Sequence, residues 1–133
     1  MIVGRTESVD GGKRRITIRH TQIVDKEIRL KLISYLQEMI YQKCKKIDWV
    51  GYRDLYPNIP EDIKNTPLIL IYNICSEKFK DTPGSININV SKYIGMLVRE
   101  AVYYSKIKYF EKIDGSVRKY SLESKKLKSN IEE

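Results

Sequence analysis

The sequence predicts an α+β fold with three main helices, an N-terminal hairpin and a C-terminal basic β-hairpin. Three stretches repeat apolar residues at helical spacing, an Asp-Gly pair divides an alternating run near the C-terminus, and a Gly-rich turn divides the first 23 residues. A chain of 133 residues has the size of one domain and buries a core without staples. Its apolar fraction of 41% and charged fraction of 32% exclude a chain too polar to fold. The expected organisation is a single domain over residues 1–123, with a hairpin at 2–23, a helical core at 25–105 and a hairpin at 107–122. A Lys/Glu/Ser-rich flexible tail at 124–133 follows.

In the first segment Asp10-Gly11-Gly12-Lys13 is a turn signal, and Arg15 to Arg19 alternates Ile16 and Ile18 with polar neighbours. Lys13, Arg14 and Arg15 then form a basic tip, either a solvated charge run or a phosphate contact. Asp25 is a suitable N-cap for a helix from Lys26 to about Lys46 with an apolar stripe of Ile28, Leu32, Leu36, Met39, Ile40 and Cys44. Arg29, Lys31, Gln37 and Glu38 fall on its opposite, exposed face.

Between Ile47 and Pro60 the sequence turns aromatic, and Pro57 and Pro60 limit any helix, which predicts a short strand or a single helical turn. Trp49, Tyr52 and Tyr56 read first as a lid over the core beside Val50 and Leu55; a stacking platform for bases is the alternative. Asn65-Thr66-Pro67 opens a helix at about 66–79, with Leu68, Ile71, Tyr72, Cys75 and Phe79 on its stripe. Ile69, Leu70 and Ile74 widen that face and predict a central helix packed from more than one side.

After an exposed loop from Lys80, Ile86-Asn87-Ile88 reads as a very short strand, and Asn89 or Ser91 as the cap of a third helix reaching about Ser105. Val90, Ile94, Leu97, Val98, Ala101 and Val102 define its buried side. Lys92, Met96, Arg99, Tyr103 and, just beyond, Lys106 form a mixed basic and aromatic surface. Gly95 costs that helix some propensity unless something packs closely there. In the last hairpin an Asp114-Gly115 loop pairs Ile113 with Ser116, which sets Glu111 opposite Arg118, Tyr109 opposite Tyr120 and Ile107 opposite Leu122.

The net charge of +8, with a pI near 9.4, favours an anionic partner through counterion release. It is held at the ends: residues 1–23 carry +3, 24–66 carry +1, 67–89 are neutral and 90–133 carry +4. Cys44 and Cys75 lie on apolar helix faces and read as reduced core thiols, not a redox pair. His20 has no second His or metal-spaced Cys pair, so neither a zinc site nor a nucleophile triad can be built on it.

Glu61-Asp62 before Lys64 and Glu123 before Lys125 lack the earlier strand-borne acid of a nuclease centre, and Gly11-Gly12-Lys13 lacks the context of a nucleotide-binding loop. No catalytic residue, metal or cofactor is expected. No apolar run reaches the length of a membrane span and no signal-peptide core opens the chain, so the expected setting is cytoplasmic, or nuclear if eukaryotic. Abundant Ile, Lys, Tyr and Asn match the usage of low-GC bacterial, phage or viral genes.

The helix at 90–105 followed by the basic hairpin at 107–122 resembles winged helix-turn-helix DNA-binding domains, over residues 66–122. That resemblance implies that Ser91, Lys92, Arg99 and Tyr103 face DNA while Lys108, Lys112, Arg118 and Lys119 meet phosphates from the wing. One departure is the loop of about ten residues from Lys80 to Asn89, where such domains use three or four.

The expected function is a nucleic-acid-binding protein, with duplex DNA favoured, acting as a small regulator or accessory factor. The alternative is a subunit or inhibitor that docks on a protein of a nucleic-acid complex through Tyr35, Tyr41, Tyr103 and Tyr104. A homodimer would suit a regulator, but no heptad seam specifies one.

Overall fold

The Asp25 side chain accepts a hydrogen bond from the Ile28 amide at 2.9 Å, and α1 (Lys26–Lys46) follows from it. Glu27 in the first turn and Lys43, Lys45 and Lys46 in the last complement the helix dipole. In the computed structural model, residues 6–8 and 24–125 are described. The N-terminal hairpin expected at 2–23 therefore lies outside the described residues except for β1 (Thr6–Ser8). That strand pairs in parallel with β2 (Tyr109–Asp114), which pairs in turn with β3 (Val117–Leu122), giving the order β1-β2-β3.

Leu32, Leu36, Ile40 and Cys44 of the predicted α1 stripe are buried, and Ile33 joins them. The opposite face is not the uniformly exposed one expected. Arg29 and Gln37 reach back to the next helix layer, where Arg29 pairs with Glu100 and the Gln37 amide donates to the Ala101 carbonyl at 3.2 Å.

Of the two forms expected between Ile47 and Pro60 the single helical turn occurs, and in place of a short strand there is one isolated β-bridge. Val50 bridges Tyr120 on the edge of β3 away from β2, with backbone N–H···O distances of 2.7 and 2.9 Å, and α2 (Tyr52–Leu55) is a single turn. The Asp54 carboxylate caps α2 by accepting from the Gly51 amide at 2.7 Å. Tyr56 is buried, while Tyr52 and Trp49 are half-buried, so the segment closes over the core.

α3 (Ile69–Lys78) follows a turn in which the Thr66 hydroxyl donates to the Ile63 carbonyl and accepts from the Leu68 amide. It is not the central helix. Leu70 is 41% exposed, and α3 buries only Ile71 and Cys75 among its own residues.

The central element is α4 (Ile86–Tyr103), which packs against α1, α2 and α3. The strand predicted at Ile86–Ile88 is instead the first turn of α4. Ile86 stands one turn before Val90 and two before Ile94 and packs on the same core, so burial of that stripe overrides the β-propensity of isoleucine. Ser85 takes the N-cap position in place of Asn89 or Ser91, and the Asn89 side-chain Nδ2 donates to the Ser85 carbonyl at 2.8 Å. The connection from α3 is correspondingly shorter than expected, spanning residues 79–85. Tyr52 packs closely on Gly95: a Cβ there would lie 3.6 Å from the Tyr52 ring.

The C-terminal hairpin forms, but its register differs from the predicted one. Asp114 pairs with Val117, Ile113 with Arg118, Lys112 with Lys119, Glu111 with Tyr120 and Tyr109 with Leu122. The turn is centred on Gly115-Ser116 rather than Asp114-Gly115. Gly115 has φ +66° and Ser116 does not share a positive φ, which is the type II′ pattern with Gly in the first central position. A slip of two residues leaves each side chain on its original face. Tyr109, Glu111, Tyr120 and Leu122 therefore still face the core, and all four are buried.

Candidate nucleic-acid interface

Two adjoining concavities run beside α4 and share Tyr52 and Lys92. The outer one, of about 680 Å³, lies between Tyr52, Arg53, Tyr56, Pro57 and Ile59 and the first turns of α4. The inner one, of about 230 Å³, lies between α4 and the β2–β3 turn, with Arg99, Ser116 and Arg118 in its walls. The resulting trough is lined by Arg53, Lys92, Arg99 and Arg118 and by no Asp or Glu.

Of the positions expected from sequence to meet DNA, the trough collects Ser91, Lys92, Arg99 and Arg118. Lys92 is exposed and Arg99 half-buried. Tyr103 is half-buried and stacks edge-on against Tyr104, with ring centroids 5.0 Å apart. Lys106 is exposed in a separate concavity with Gln37, Glu38 and Tyr41. Lys108 is exposed at the entry to β2, where its carbonyl accepts from the Glu123 amide. Lys13, Arg14 and Arg15 lie outside the described residues.

The hairpin cations have partners within the protein. Arg118 donates to the buried Glu111 carboxylate at 2.7 Å. Lys112 sits over the Trp49 ring at 4.6 Å, and Lys119 reaches Asp114 at 3.3 Å. Lys112 and Lys119 are directly opposite each other in the register, a repulsive arrangement that these separate partners relieve. Trp49, whose ring lies under Lys112, adopts φ +60°, unusual for a bulky residue.

Arg118 enters the inner trough with its guanidinium already oriented by Glu111. Behind it, burial pushes the Tyr120 hydroxyl above its ordinary range, the Glu111 carboxylate adds to the rise, and Arg118 and Arg99 oppose it. Burial likewise pushes the Cys44 thiol up to about 12 and raises that of Cys75, so neither sulfur carries thiolate chemistry at neutral pH. Glu61 pairs with Lys64 at the surface, and Asp62 accepts from the Asn58 amide. Among the described residues no group of three or more His, Cys, Asp or Glu could hold a metal, and no helix is long and apolar enough to cross a membrane.

Comparison with protein-family models, curated proteins and solved structures finds no match.

Sequence reasoning missed Arg53 and Glu100. Arg53 stands in a stretch dominated by aromatic residues, although a cation between two tyrosines at a turn is itself a surface signal. Its guanidinium lies 5.6 Å from the Tyr52 ring, and its Nε donates to the Tyr52 hydroxyl at 3.1 Å, which holds it at the trough's edge. Glu100 is fully buried in α4, and only its position one helical turn before Tyr104, amid Val98, Ala101 and Val102, marks it as inward-facing.

Proposed function

We propose that the protein binds nucleic acid, with duplex DNA as the favoured ligand, as a small regulator or accessory factor and not as an enzyme. The observation that supports this reading is the trough beside α4, where four cations from three elements converge without an acidic residue in the lining. Phosphates are the ligands such a lining attracts, because each neutralised phosphate releases condensed counterions. In the winged-helix form of the reading, α4 and the β2–β3 turn act together as the two walls of the inner trough.

The test is fluorescence anisotropy of the full chain with labelled duplex DNA at low and moderate salt. Binding at micromolar concentration or below that collapses as salt rises supports the reading, and absence of binding at low salt refutes it.

A second reading has one observation in its favour. Beside its cations the outer concavity carries apolar residues, with Ile88 70% exposed and Pro57 and Ile59 in the same lining, as expected of a docking point on a protein of a nucleic-acid complex. Association with a protein partner that persists at high salt would select it.

A further inference from the structure

Which part of a nucleic acid the trough contacts follows from how deeply α4 is buried. A recognition helix must present one whole face to enter a major groove about 12 Å wide. α4 does not have such a face. Asn87, Ile88 and Lys92 are its only exposed residues, and everything from Tyr93 to Tyr103 is buried or half-buried. On one side the helix is walled by Tyr52 and Arg53, and on the other by Ser116, Val117 and Arg118 of the hairpin. The side chains left to reach a base edge are Asn87 and Lys92, and both lie in the first two turns.

Stacking on an unpaired base is equally poorly served. Tyr52 packs against Gly95 and carries the Arg53 guanidinium, and Tyr56 is 4% exposed. Trp49 carries Lys112 over its ring and is not part of the trough lining. The trough therefore offers cations without free rings, whereas single-strand binding sites combine both.

Resting on the proposed nucleic-acid reading, we infer that the trough seats the sugar–phosphate ridge of a duplex and reads no base sequence. Lys92 and Arg53 contact phosphates at the outer end, and Arg118, fixed from behind by Glu111, contacts one at the inner end. Lys92 and Arg99, seven residues apart on α4, stand roughly 10 Å apart along the helix axis, so the contacts are spread over several phosphates.

The experiment is anisotropy with the full chain on duplexes of unrelated sequence and on single strands of the same length, from about 50 to 200 mM salt. Affinities equal within about threefold among duplexes and weaker for single strands are expected, with each phosphate contact adding roughly 0.9 to the slope of log affinity against log salt. Lys92→Gln, at an exposed position, lowers that slope by about 1 on every duplex alike, and Arg53→Gln does the same.

A preference of tenfold or more for one duplex sequence, or tighter binding of single strands, overturns this inference while leaving the nucleic-acid reading in place. An unchanged slope in both variants removes the trough as the contact surface. No binding by the wild-type chain at low salt overturns the nucleic-acid reading and this inference together.

Discussion

Replacing Arg29 with Met will destabilise the fold by about 3–5 kcal/mol, the range observed when one partner of a buried ion pair is removed. Arg29 Nη1 lies 2.8 Å from Glu100 Oε1, and the two side chains are 14% and 0% exposed. At that separation the attraction is about 6 kcal/mol for an effective dielectric constant near 20, and part of it offsets the cost of burying both charges. Met keeps much of the aliphatic packing of Arg29, so the loss reports the charge and not a cavity.

Removing the guanidinium leaves the carboxylate at the α1–α4 seam, where Gln37 also bonds the Ala101 carbonyl. In urea, with an m-value of about 2 kcal/mol/M, the unfolding midpoint should fall by roughly 2 M. The double variant Arg29→Met/Glu100→Leu removes both charges of the pair and should recover at least half of the loss. A cost below about 1 kcal/mol for the single variant, or a double variant no more stable than the single, would refute this account of the seam.

Gly51→Ala should cost about 1–3 kcal/mol, because a Cβ there would stand 3.1 Å from both the Arg118 carbonyl and Val117 Cγ1, whereas Gly84→Ala, which opens on empty space, should leave the melting temperature nearly unchanged. Equal melting temperatures for the two variants would show that the Val50–Tyr120 edge yields freely. Gly115→Ala should cost about 1–2 kcal/mol, since φ +66° places a side chain in the left-handed region; an unchanged midpoint in chemical denaturation would contradict the turn assignment.

Stability should also fall at alkaline pH. Between its ordinary value of 9.0 and about 12 the Cys44 thiol is ionised in the unfolded chain and protonated in the native one, so the unfolded state binds fewer protons. The expected slope is about −1.4 kcal/mol per pH unit from this group, with the buried Tyr56, Tyr109 and Tyr120 adding to it above their ordinary 10. Urea midpoints across that window should therefore decline and Cys44→Ala should flatten the decline; a level profile for the wild type contradicts it.

Elements defined by local chemistry were legible in the sequence. Asp25, the α1 stripe and the Gly-containing C-terminal turn need only neighbouring residues to act. The turn nonetheless shows the limit of local reading, because Asp114-Gly115 and Gly115-Ser116 are both acceptable loops and the choice rests on packing. The adopted register places Tyr120 beside Val50, where it accepts and donates the two bridge hydrogen bonds.

The misreading of Ile86-Asn87-Ile88 has the same origin, since alternation over three residues cannot distinguish a strand from a helix whose stripe continues to Val90. At the candidate site, Lys92, Arg99 and Arg118 were legible as cations on one helix and one hairpin. That Arg53 joins them was not, because α2 meets α4 only through tertiary packing.

A cation that a carboxylate or ring within the protein also engages has a structural role beside any ligand contact, and this changes how the hairpin should be tested. The natural experiment on a wing is to replace Lys112, Arg118 and Lys119 together with Ala. Here it would be misleading. Arg118→Ala leaves Glu111, buried to 4% side-chain exposure, without the guanidinium that neutralises it, and Lys112→Ala strips the Trp49 ring of its cation. Loss of binding in that triple variant would therefore report a damaged sheet as readily as a lost contact.

Lys92 has no such ambiguity, being exposed and without a salt-bridge partner among the described residues. Its substitution separates the two effects, because a lost phosphate contact lowers the salt slope at unchanged stability, whereas a structural defect lowers stability first. Arg118→Lys adds a complementary test: it retains the charge but not the planar donor geometry that engages Glu111. Retained stability with weakened binding would locate the role of Arg118 in the trough, and lost stability would locate it in the core.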